Sequence, residues 1–342
     1  MESNTIYIGH DTLNRALKNV QGAIAAIGNE DQYKISNYDM MPPFFMNIVS
    51  DSDLWMFLSS NGGLTAGRRN PDNALFPYYT DDRIHDSQEN TGSKTIVFVS
   101  KNSKAFLWEP FSSKYQGIYA IERNIYKNIV GNQVIFEEVN HDLNVSFQYA
   151  WINCDKFGFI KKPRIINHDS EPVTITIVDG IQNILPAGVD RKFQLEYNTL
   201  LDGYKKNELQ ADTGLGLYTL SSIPTDKAEP SESLKATTVW SAGLENATIL
   251  LSAIQLESFR NGESVVQETD IRAARGAYFL QAKFELAPRE ENFWYIAADL
   301  NKDQADVVAL SQMLRSTKNL THYIEKKKKK NTEQLKLKVA QA

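Results

Sequence analysis

The chain contains a single cysteine, Cys154, in 342 residues, which excludes an internal disulfide and favours a reducing compartment. No apolar run approaches the roughly 20 residues that a membrane-spanning helix needs. The first ten residues lack a basic start followed by an apolar stretch, which argues against a secretory signal. We therefore expect a cytoplasmic protein that does not span a membrane.

Metal-binding and nucleotide-binding motifs are also missing. The five histidines never occur in H-x-H or H-x-x-x-H spacing, so we expect no metal site. Residues 62–69 have two glycines at the spacing of a phosphate loop. However, Arg68 replaces the lysine and Arg69 replaces the hydroxyl residue that such a loop requires. We expect no bound cofactor.

Charge is unevenly distributed along the chain. Residues 301–342 contain 10 Lys and Arg against 4 Asp and Glu, whereas the remainder contains 27 against 38. Phosphate contacts need a basic surface, so the acidic body argues against a nucleic-acid partner. The lysine run at 326–330 is typical of a solvated helix face or a frayed end.

Short apolar or alternating segments, rich in β-branched and aromatic residues, fill the chain from about residue 33 to residue 300. Turn-forming residues separate most of them, which predicts strands joined by turns rather than βαβ units. Segment 117–130 also permits a helix, and we interpret it as a strand because its neighbours are strands. The predicted strands are 44–50, 54–60, 94–100, 105–111, 117–130, 133–139, 144–154, 173–181, 215–222, 236–243, 247–259, 276–286 and 292–300.

Two segments have helical spacing. Residues 11–20 predict a short N-terminal helix capped by Asp11, and residues 301–330 predict an amphipathic C-terminal helix. Residues 187–214 are rich in charges and predict a long excursion, while little in 331–342 would hold a structure. The apolar stripe of the C-terminal helix needs a partner, which the sequence leaves open between the sandwich, a second copy and another domain. We predict a mainly β fold with domains at 1–300 and 301–342.

Residues 59–86 combine glycines, arginines, tyrosines and carboxylates more densely than any other part of the chain. Glycine and the Asn-Pro-Asp turn favour a loop. Guanidinium forks, carboxylates and aromatic faces suit a sugar or an anionic group. The alternative is a structural crossover loop whose arginines pair with its own carboxylates. The candidate substrate-binding residues are Arg68, Arg69, Asp72, Tyr78, Tyr79, Asp81 and Asp82.

Two other groups of residues are more easily explained by packing. Neighbouring residues on a strand point to opposite faces, so neither Asp81 with Asp82 nor Glu137 with Glu138 makes an acid/base pair. All the tryptophans lie in predicted strands, where core packing is favoured over a sugar platform. We expect Cys154 to be an inert core thiol.

The order of features resembles glycoside hydrolase family 94, the cellobiose and chitobiose phosphorylases. Residues 42–82, PPFFMNIVSDSDLWMFLSSNGGLTAGRRNPDNALFPYYTDD, are similar to the opening of that family. FLWEPF at 106–111 looks like its Trp-x-Pro element, and 164–188 looks like its strand with an amide-bearing exit. Residues 303–314 resemble the helix that leaves the domain. The chain departs from the family where Thr80-Asp81-Asp82 replaces Asn-Asp-Pro.

The resemblance implies a large two-sheet β-supersandwich of the galactose mutarotase type, as the N-terminal domain of an inverting phosphorylase of β-glycosides. In such enzymes an (α/α)6 barrel supplies the catalytic acid and most ligands of the co-substrate, inorganic phosphate. No residue of this chain is therefore assigned as catalytic, and the chain is not expected to be active alone. Its implied partners are a carbohydrate, the missing barrel and a second copy in a homodimer.

Two alternatives belong to other functional classes. The first is a stand-alone sugar-active hydrolase or mutarotase-like enzyme that uses carboxylates in a sandwich groove. The second is a protein-interaction module that docks through the basic C-terminal helix.

Overall fold

The computed structural model describes residues 7–8, 10–13, 18–28, 30–79, 81–196, 198–222 and 234–341. The fold is mainly β, as predicted, and none of the described sheets closes into a barrel. The strands are β1 Tyr7–Ile8, β2 Asp11–Thr12, β3 Gln21–Ile27, β4 Glu30–Ser36, β5 Phe45–Ile48, β6 Leu54–Ser59, β7 Leu64–Arg68, β8 Ala74–Phe76, β9 Gly92–Lys101, β10 Lys104–Trp108, β11 Ile121–Asn128, β12 Gln133–Asn140, β13 Val145–Cys154, β14 Gly158–Asn167, β15 Val173–Ile184, β16 Lys205–Gln210, β17 Leu215–Leu220, β18 Ala236–Ala242, β19 Thr248–Leu250, β20 Asp270–Arg272, β21 Gly276–Leu286, β22 Glu291–Phe293 and β23 Tyr295–Lys302.

Helices are short except at the C-terminal end of the described chain. The helices are α1 Asp81–Ile84, α2 Arg191–Glu196, α3 Asn198–Asp202, α4 Leu256–Arg260, α5 Gln304–Ser316 and α6 Leu320–Gln341, with 3-10 turns at Tyr38–Met40 and His85–Ser87. No helix among the described residues is both long and apolar enough to cross a membrane.

Two antiparallel sheets form the body of the protein. In the described ranges the large sheet has 12 strands, in the order β20-β16-β17-β18-β23-β14-β13-β12-β11-β4-β3, with β22 paired to β14. The small sheet has the order β10-β9-β15-β21-β19. The chain also forms a 4-stranded sheet, β5-β6-β7-β8, and the β1-β2 pair.

Side chains of the central strands alternate between the two faces of each sheet, and one buried face of each forms the interior of the sandwich. On β13, Phe147, Tyr149 and Trp151 belong to the same buried cluster as Ile175 and Ile177 of β15. These residues define the inner face of the large sheet, which packs on the small sheet. The residues between them point to the opposite, outer face, where a second buried cluster forms against the C-terminal helices.

Helices α5 and α6 cover part of the outer face. α5 begins with a capping box in which the Asp306 N–H donates to Asp303 Oδ1 at 2.9 Å. Leu314 of α5 and Ile324 of α6 are buried in one cluster with Trp240 of the large sheet. The partner of the amphipathic stripe, which the sequence left open, is therefore the sandwich itself.

The prediction for residues 331–342 was wrong, because the described residues continue α6 as far as Gln341. Three side chains in this part of α6, Asn331, Thr332 and Leu335, are buried. Asn331 also accepts a hydrogen bond from the Asp155 backbone at 2.9 Å and donates to Asp51 at 2.8 Å. These contacts lie 176 and 280 residues apart in sequence and left no signal in the local pattern.

Acid should weaken the attachment of α6 through Glu325. Its carboxylate accepts hydrogen bonds from Lys162 at 2.7 Å and from the Tyr295 hydroxyl, and lies 3.1 Å from Lys328. Burial raises the pKa of Glu325, but Lys328, Lys162 and Tyr295 outweigh this effect and lower the pKa from 4.5 to about 2.

The pKa of Glu325 is lower in the folded protein than in the unfolded chain. Its contribution to the free energy of unfolding is therefore present above pH 4.5 and is lost as the pH falls toward about 2. We expect Glu325→Gln to be less stable than the wild type at neutral pH and equally stable near pH 2. Urea unfolding of both proteins across this range measures the difference. If the difference in the free energy of unfolding between the two proteins did not shrink on acidification, it would not come from the ionised Glu325 carboxylate.

The segments 11–20, 59–86, 187–214 and 247–259 also differ from the predictions. The short N-terminal helix was wrong, because Asp11–Thr12 form a strand and 18–20 are not helical, while 14–17 lie outside the described residues. The predicted loop 59–86 contains strands β7 and β8 and helix α1. The predicted strand 247–259 ends at Leu250, and α4 begins at Leu256. The predicted excursion 187–214 contains α2, α3 and the paired strand β16.

Strand β14 was not predicted because its sequence, GFIKKPRIIN, looks polar in the middle. Lys161 nevertheless lies on the inner face and is completely buried with Asp179 of β15, their Nζ and Oδ1 being 2.6 Å apart. Asp179 also accepts hydrogen bonds from Thr95 at 2.6 Å and from Trp294 at 2.9 Å. Burial lowers the pKa of Lys161, although Asp179 opposes this effect.

Predictions about individual side chains were more accurate. Trp108, Trp151, Trp240 and Trp294 are buried, as expected for core residues, whereas Trp55 is only half-buried. Cys154 is buried as well. Burial raises the pKa of the Cys154 thiol, which agrees with an inert residue.

Candidate functional site

A cavity of about 590 Å³ opens beside the segment that follows β8. We call it the tyrosine cleft. It lies within the volume range of small-molecule sites, roughly 300–1,000 Å³. Its described lining residues are Pro77, Tyr78, Tyr79, Arg83, Asn183, Leu185, Arg191, Gln194, Leu195, Leu201, Asp202, Lys205 and Arg275.

Helix α2 holds one wall of the tyrosine cleft against the loop. The Tyr78 N–H donates to Gln194 Oε1 at 3.0 Å, and the Arg191 guanidinium lies 5.5 Å from the Tyr78 ring centroid. The Trp55 ring packs edge-on against the Tyr78 ring, with 5.8 Å between the ring centroids. Asp72 accepts a hydrogen bond from the Arg191 backbone at 3.1 Å. An aromatic ring, a guanidinium and an amide therefore have fixed relative positions.

A charged cluster forms another part of the lining. Asp202 of α3 accepts hydrogen bonds from Lys205 at 2.7 Å and from Arg275 at 3.2 Å. Burial raises the pKa of Asp202, but these two cations outweigh it and lower the pKa below its ordinary value. Burial lowers the pKa of Lys205, against the attraction of Asp202. Asp202 is therefore a paired, ionised carboxylate rather than a proton donor.

Close backbone packing places α1, which carries Arg83, at the edge of the cleft. A Cβ on Gly63 would lie 2.0 Å from the Ile84 carbonyl oxygen, so only glycine permits this approach. The Asn61 amide donates to the His85 carbonyl at 2.8 Å, and the Ser59 hydroxyl lies 2.7 Å from His85 Nδ1. Gly63 of the sequence motif thus permits the close approach of α1.

The structure separates the predicted site residues into two groups. Tyr78 and Tyr79 line the tyrosine cleft, and Asp72 contacts the backbone of Arg191 beside it. Arg68 lies elsewhere, bonded to Asp299 at 2.7 Å and to Asp53 at 2.5 Å.

The remaining predicted residues are exposed or lie outside the description. Arg69 is 81% exposed in its side chain and lies 3.4 Å from Asp53. Both arginines form ion pairs, but the crossover alternative was wrong about their partners, because Asp53 and Asp299 lie outside residues 59–86. The side chains of Asp81 and Asp82 in α1 are outside the described residues.

Sequence reasoning missed several residues of the cleft. Arg191, Gln194, Asp202 and Lys205 come from the segment interpreted as an excursion, and Arg275 precedes β21. The high density of charged and amide residues between 187 and 214 was a usable signal, because connecting segments carry binding residues more often than the elements they join.

No protein-family model matches the chain, and no curated protein matches it. Solved structures that resemble it include a polysaccharide lyase, with a TM-score of 0.42, 11% identity, and coverage of 80% of this chain and 34% of the lyase. A bacterial glucoamylase complexed with acarbose has a TM-score of 0.40 and 10% identity, with coverage of 92% of this chain and 39% of the glucoamylase. A Klebsiella pneumoniae protein assigned as an aldose 1-epimerase has a TM-score of 0.39 and 8% identity, with coverage of 86% of this chain and 91% of that protein.

These three neighbours are carbohydrate-active enzymes of low identity to this chain. The chain spans 34% of the lyase and 39% of the glucoamylase.

Proposed function

We propose that this chain is a non-catalytic, carbohydrate-binding β-supersandwich of the kind found at the N-terminus of inverting glycoside phosphorylases. Its tyrosine cleft binds a saccharide and forms one wall of a larger active site. The partner domain is a helical (α/α)6 barrel that supplies the catalytic acid and binds the co-substrate phosphate. A homodimer of such chains and a cytoplasmic location belong to the same proposal.

The composition of the tyrosine cleft supports saccharide binding. The rings of Tyr78 and Tyr79 offer flat surfaces for the C–H face of a sugar. Arg83 and Arg191 offer donors for hydroxyl groups, and among the described residues neither guanidinium forms an ion pair with a carboxylate. These groups recognise polar ligands but do not transfer protons near neutral pH.

One observation carries the non-catalytic part of the proposal. Among the described residues that line the tyrosine cleft, the only carboxylate is Asp202, which is paired with Lys205 and Arg275. Inverting and retaining glycosidases both use two carboxyl groups, and one of them must carry a proton. The described part of the cleft has no second carboxyl group and no raised carboxyl pKa.

Cellobiose binding measured by calorimetry tests the proposal. We expect Tyr78→Ala to weaken binding about tenfold, since an aromatic contact of this kind contributes on the order of 1 kcal/mol. Arg191→Met should weaken binding similarly, because it removes both a donor and the group stacked on Tyr78. The matched control is Tyr33→Ala, which removes an exposed tyrosine of β4 away from the cleft.

Two outcomes would refute the proposal. Equal cellobiose affinity in Tyr78→Ala, Arg191→Met and the wild type would exclude the tyrosine cleft as the site. Formation of glucose 1-phosphate or glucose from cellobiose by the purified chain, with or without phosphate, would show that it cleaves the bond itself. Loss of that turnover in Asp81→Ala or Asp82→Ala would then favour the stand-alone enzyme.

A further inference from the structure

The large sheet ends at β3, which has one neighbouring strand among the described residues. β3 pairs with β4 from Gln21 to Ile27 and has no second partner in the described sheet. An edge strand presents a row of backbone N–H and C=O groups that can pair with a strand of another chain. All seven residues of β3 are exposed or half-buried. The strand is therefore accessible to a partner along its whole length.

β3 also lacks the features that usually protect an edge strand from pairing, which are charges, proline and bulges. Its sequence, QGAIAAI, contains no charged residue and no proline, and its pairing with β4 continues without a register shift. The opposite edge of the same sheet, β20, is three residues long and contains Asp270 and Arg272. Of these two edges, β3 is the one suited to pairing with another chain.

Two exposed apolar side chains lie together at this edge. Ile24, the middle residue of β3, is 69% exposed, and Tyr33, its partner on β4, is 55% exposed. Directly paired residues of an antiparallel ladder lie on the same face, so these side chains are neighbours. Removing apolar surface from water is favourable, and this edge therefore gains from a partner that brings its own apolar residue.

A second copy of the same chain supplies such a partner. Two β3 strands can run antiparallel about a two-fold axis at Ile24, the midpoint of Gln21–Ile27. All seven residues then pair, with Ile24 of each copy opposite Ile24 of the other and Ala23 opposite Ala25. Each residue pairs with one on the same face, so the two large sheets join into one continuous sheet.

The charges beside β3 favour the same arrangement. Lys18 precedes the strand, whereas Glu30 and Asp31 follow the turn at its other end. Antiparallel pairing brings the beginning of β3 in one copy beside the end of β3 in the other. Lys18 of each copy then approaches Glu30 and Asp31 of the other, and charges of opposite sign meet at both ends of the strand pair.

We propose that β3 is the interface between two copies of this chain, in a symmetric dimer whose large sheets are continuous. This inference names the interface of the homodimer that belongs to the proposed function, and it rests on that proposal for the oligomeric state alone. The tyrosine cleft shares no described lining residue with β3. Saccharide binding and dimer formation can therefore fail independently.

Cysteine cross-linking of the full chain tests the register. Ile24→Cys places two Cβ atoms directly opposite each other, about 5 Å apart and near the range of a disulfide. Mild oxidation should therefore convert most of this variant into covalent dimers on a non-reducing gel. The native Cys154 is buried, so the wild type should stay monomeric on the same gel.

The matched control for cross-linking is Ala26→Cys, an exposed position on the same face of β3. In the proposed register its two copies are four positions apart along the strand direction, roughly 13 Å. This distance is too long for a disulfide, so Ala26→Cys should form few covalent dimers.

Sedimentation equilibrium tests the dimer without a cross-link. We expect a mass that rises with concentration from 38.7 kDa toward twice that value. One strand pair is small beside the about 1,200–2,000 Å² of stable complexes, so the dissociation constant should be on the order of 10 μM. Ile24→Lys brings two positive charges together and should raise it at least about tenfold. The matched control is Val308→Lys on α5, 56% exposed, which should leave it unchanged.

Three results would overturn the proposal. The first is a mass of 38.7 kDa at every concentration up to about 1 mM. The second is an equal dissociation constant for the wild type and Ile24→Lys. The third is equal cross-linking of Ile24→Cys and Ala26→Cys, which would indicate another register or random collision.

Tyr78→Ala separates this inference from saccharide binding. The variant should bind cellobiose more weakly while its dimer dissociation constant stays that of the wild type. A monomeric chain that binds cellobiose through the tyrosine cleft would refute the β3 interface alone. A dimer that is sensitive to Ile24→Lys but does not bind cellobiose would support the interface and refute the saccharide site.

Discussion

Lys161→Met should lower the free energy of unfolding by about 3–5 kcal/mol, because it leaves the carboxylate of Asp179 buried without its cation. Both side chains are 0% exposed, and Lys161 also donates to the Gly180 carbonyl at 2.9 Å. Thr95 and Trp294 still donate to Asp179 in the variant, but two neutral donors do not replace a positive charge. Urea unfolding monitored by tryptophan fluorescence measures the change.

The matched control for this variant is Lys283→Met, which removes an exposed lysine of β21 and should change stability by less than about 0.5 kcal/mol. The double variant Lys161→Met, Asp179→Asn removes both charges and should recover part of the loss. If Lys161→Met had the same free energy of unfolding as Lys283→Met, the buried Asp179 would not depend on the charge of Lys161.

Glu138→Ala should also lower the free energy of unfolding, by about 3–5 kcal/mol. Glu138 is buried and accepts hydrogen bonds from Trp108 Nε1, the Phe111 backbone and Arg123 Nε, each at 2.7 Å. Its loss leaves Arg123, whose side chain is 12% exposed, without this carboxylate. It also releases Phe111, whose φ of 66° lies in the left-handed region.

Glu285→Ala is the matched control, an exposed glutamate on β21 that should cost less than about 0.5 kcal/mol. Glu138→Gln keeps an acceptor for Trp108 and Phe111 but not the charge, and should fall between Glu138→Ala and the wild type. Equal stability of Glu138→Ala and Glu285→Ala would contradict the proposed importance of this carboxylate.

The fold class was predictable because strand alternation is a local property. Phe147, Tyr149 and Trp151 alternate with Gln148 and other residues on the outer face, and this pattern can be read without knowing any partner strand. The same argument correctly separated Glu137 from Glu138, which lie on the outer and inner faces. It failed for β14, because Lys161 looks solvent-exposed until its partner Asp179 is known.

The tyrosine cleft was predictable only in part. The density of aromatic and charged residues at 59–86 identified Tyr78 and Tyr79 as candidate ligand contacts, although this segment forms β7, β8 and α1 rather than one loop. The arginine that stacks on Tyr78 lies 113 positions further along the chain, and Arg275 is still more distant. No local pattern relates these positions.

From the sequence alone one can conclude that the protein is mainly β, that most of its tryptophans belong to the core and that its C-terminal region is helical with one apolar face. These conclusions depend on side-chain periodicity and residue type, which are properties of short segments. The tertiary structure decided which surface covers α5 and α6, which charged residues are buried as pairs and which residues share a cavity. Such contacts join segments far apart in the chain, and strand order sets them.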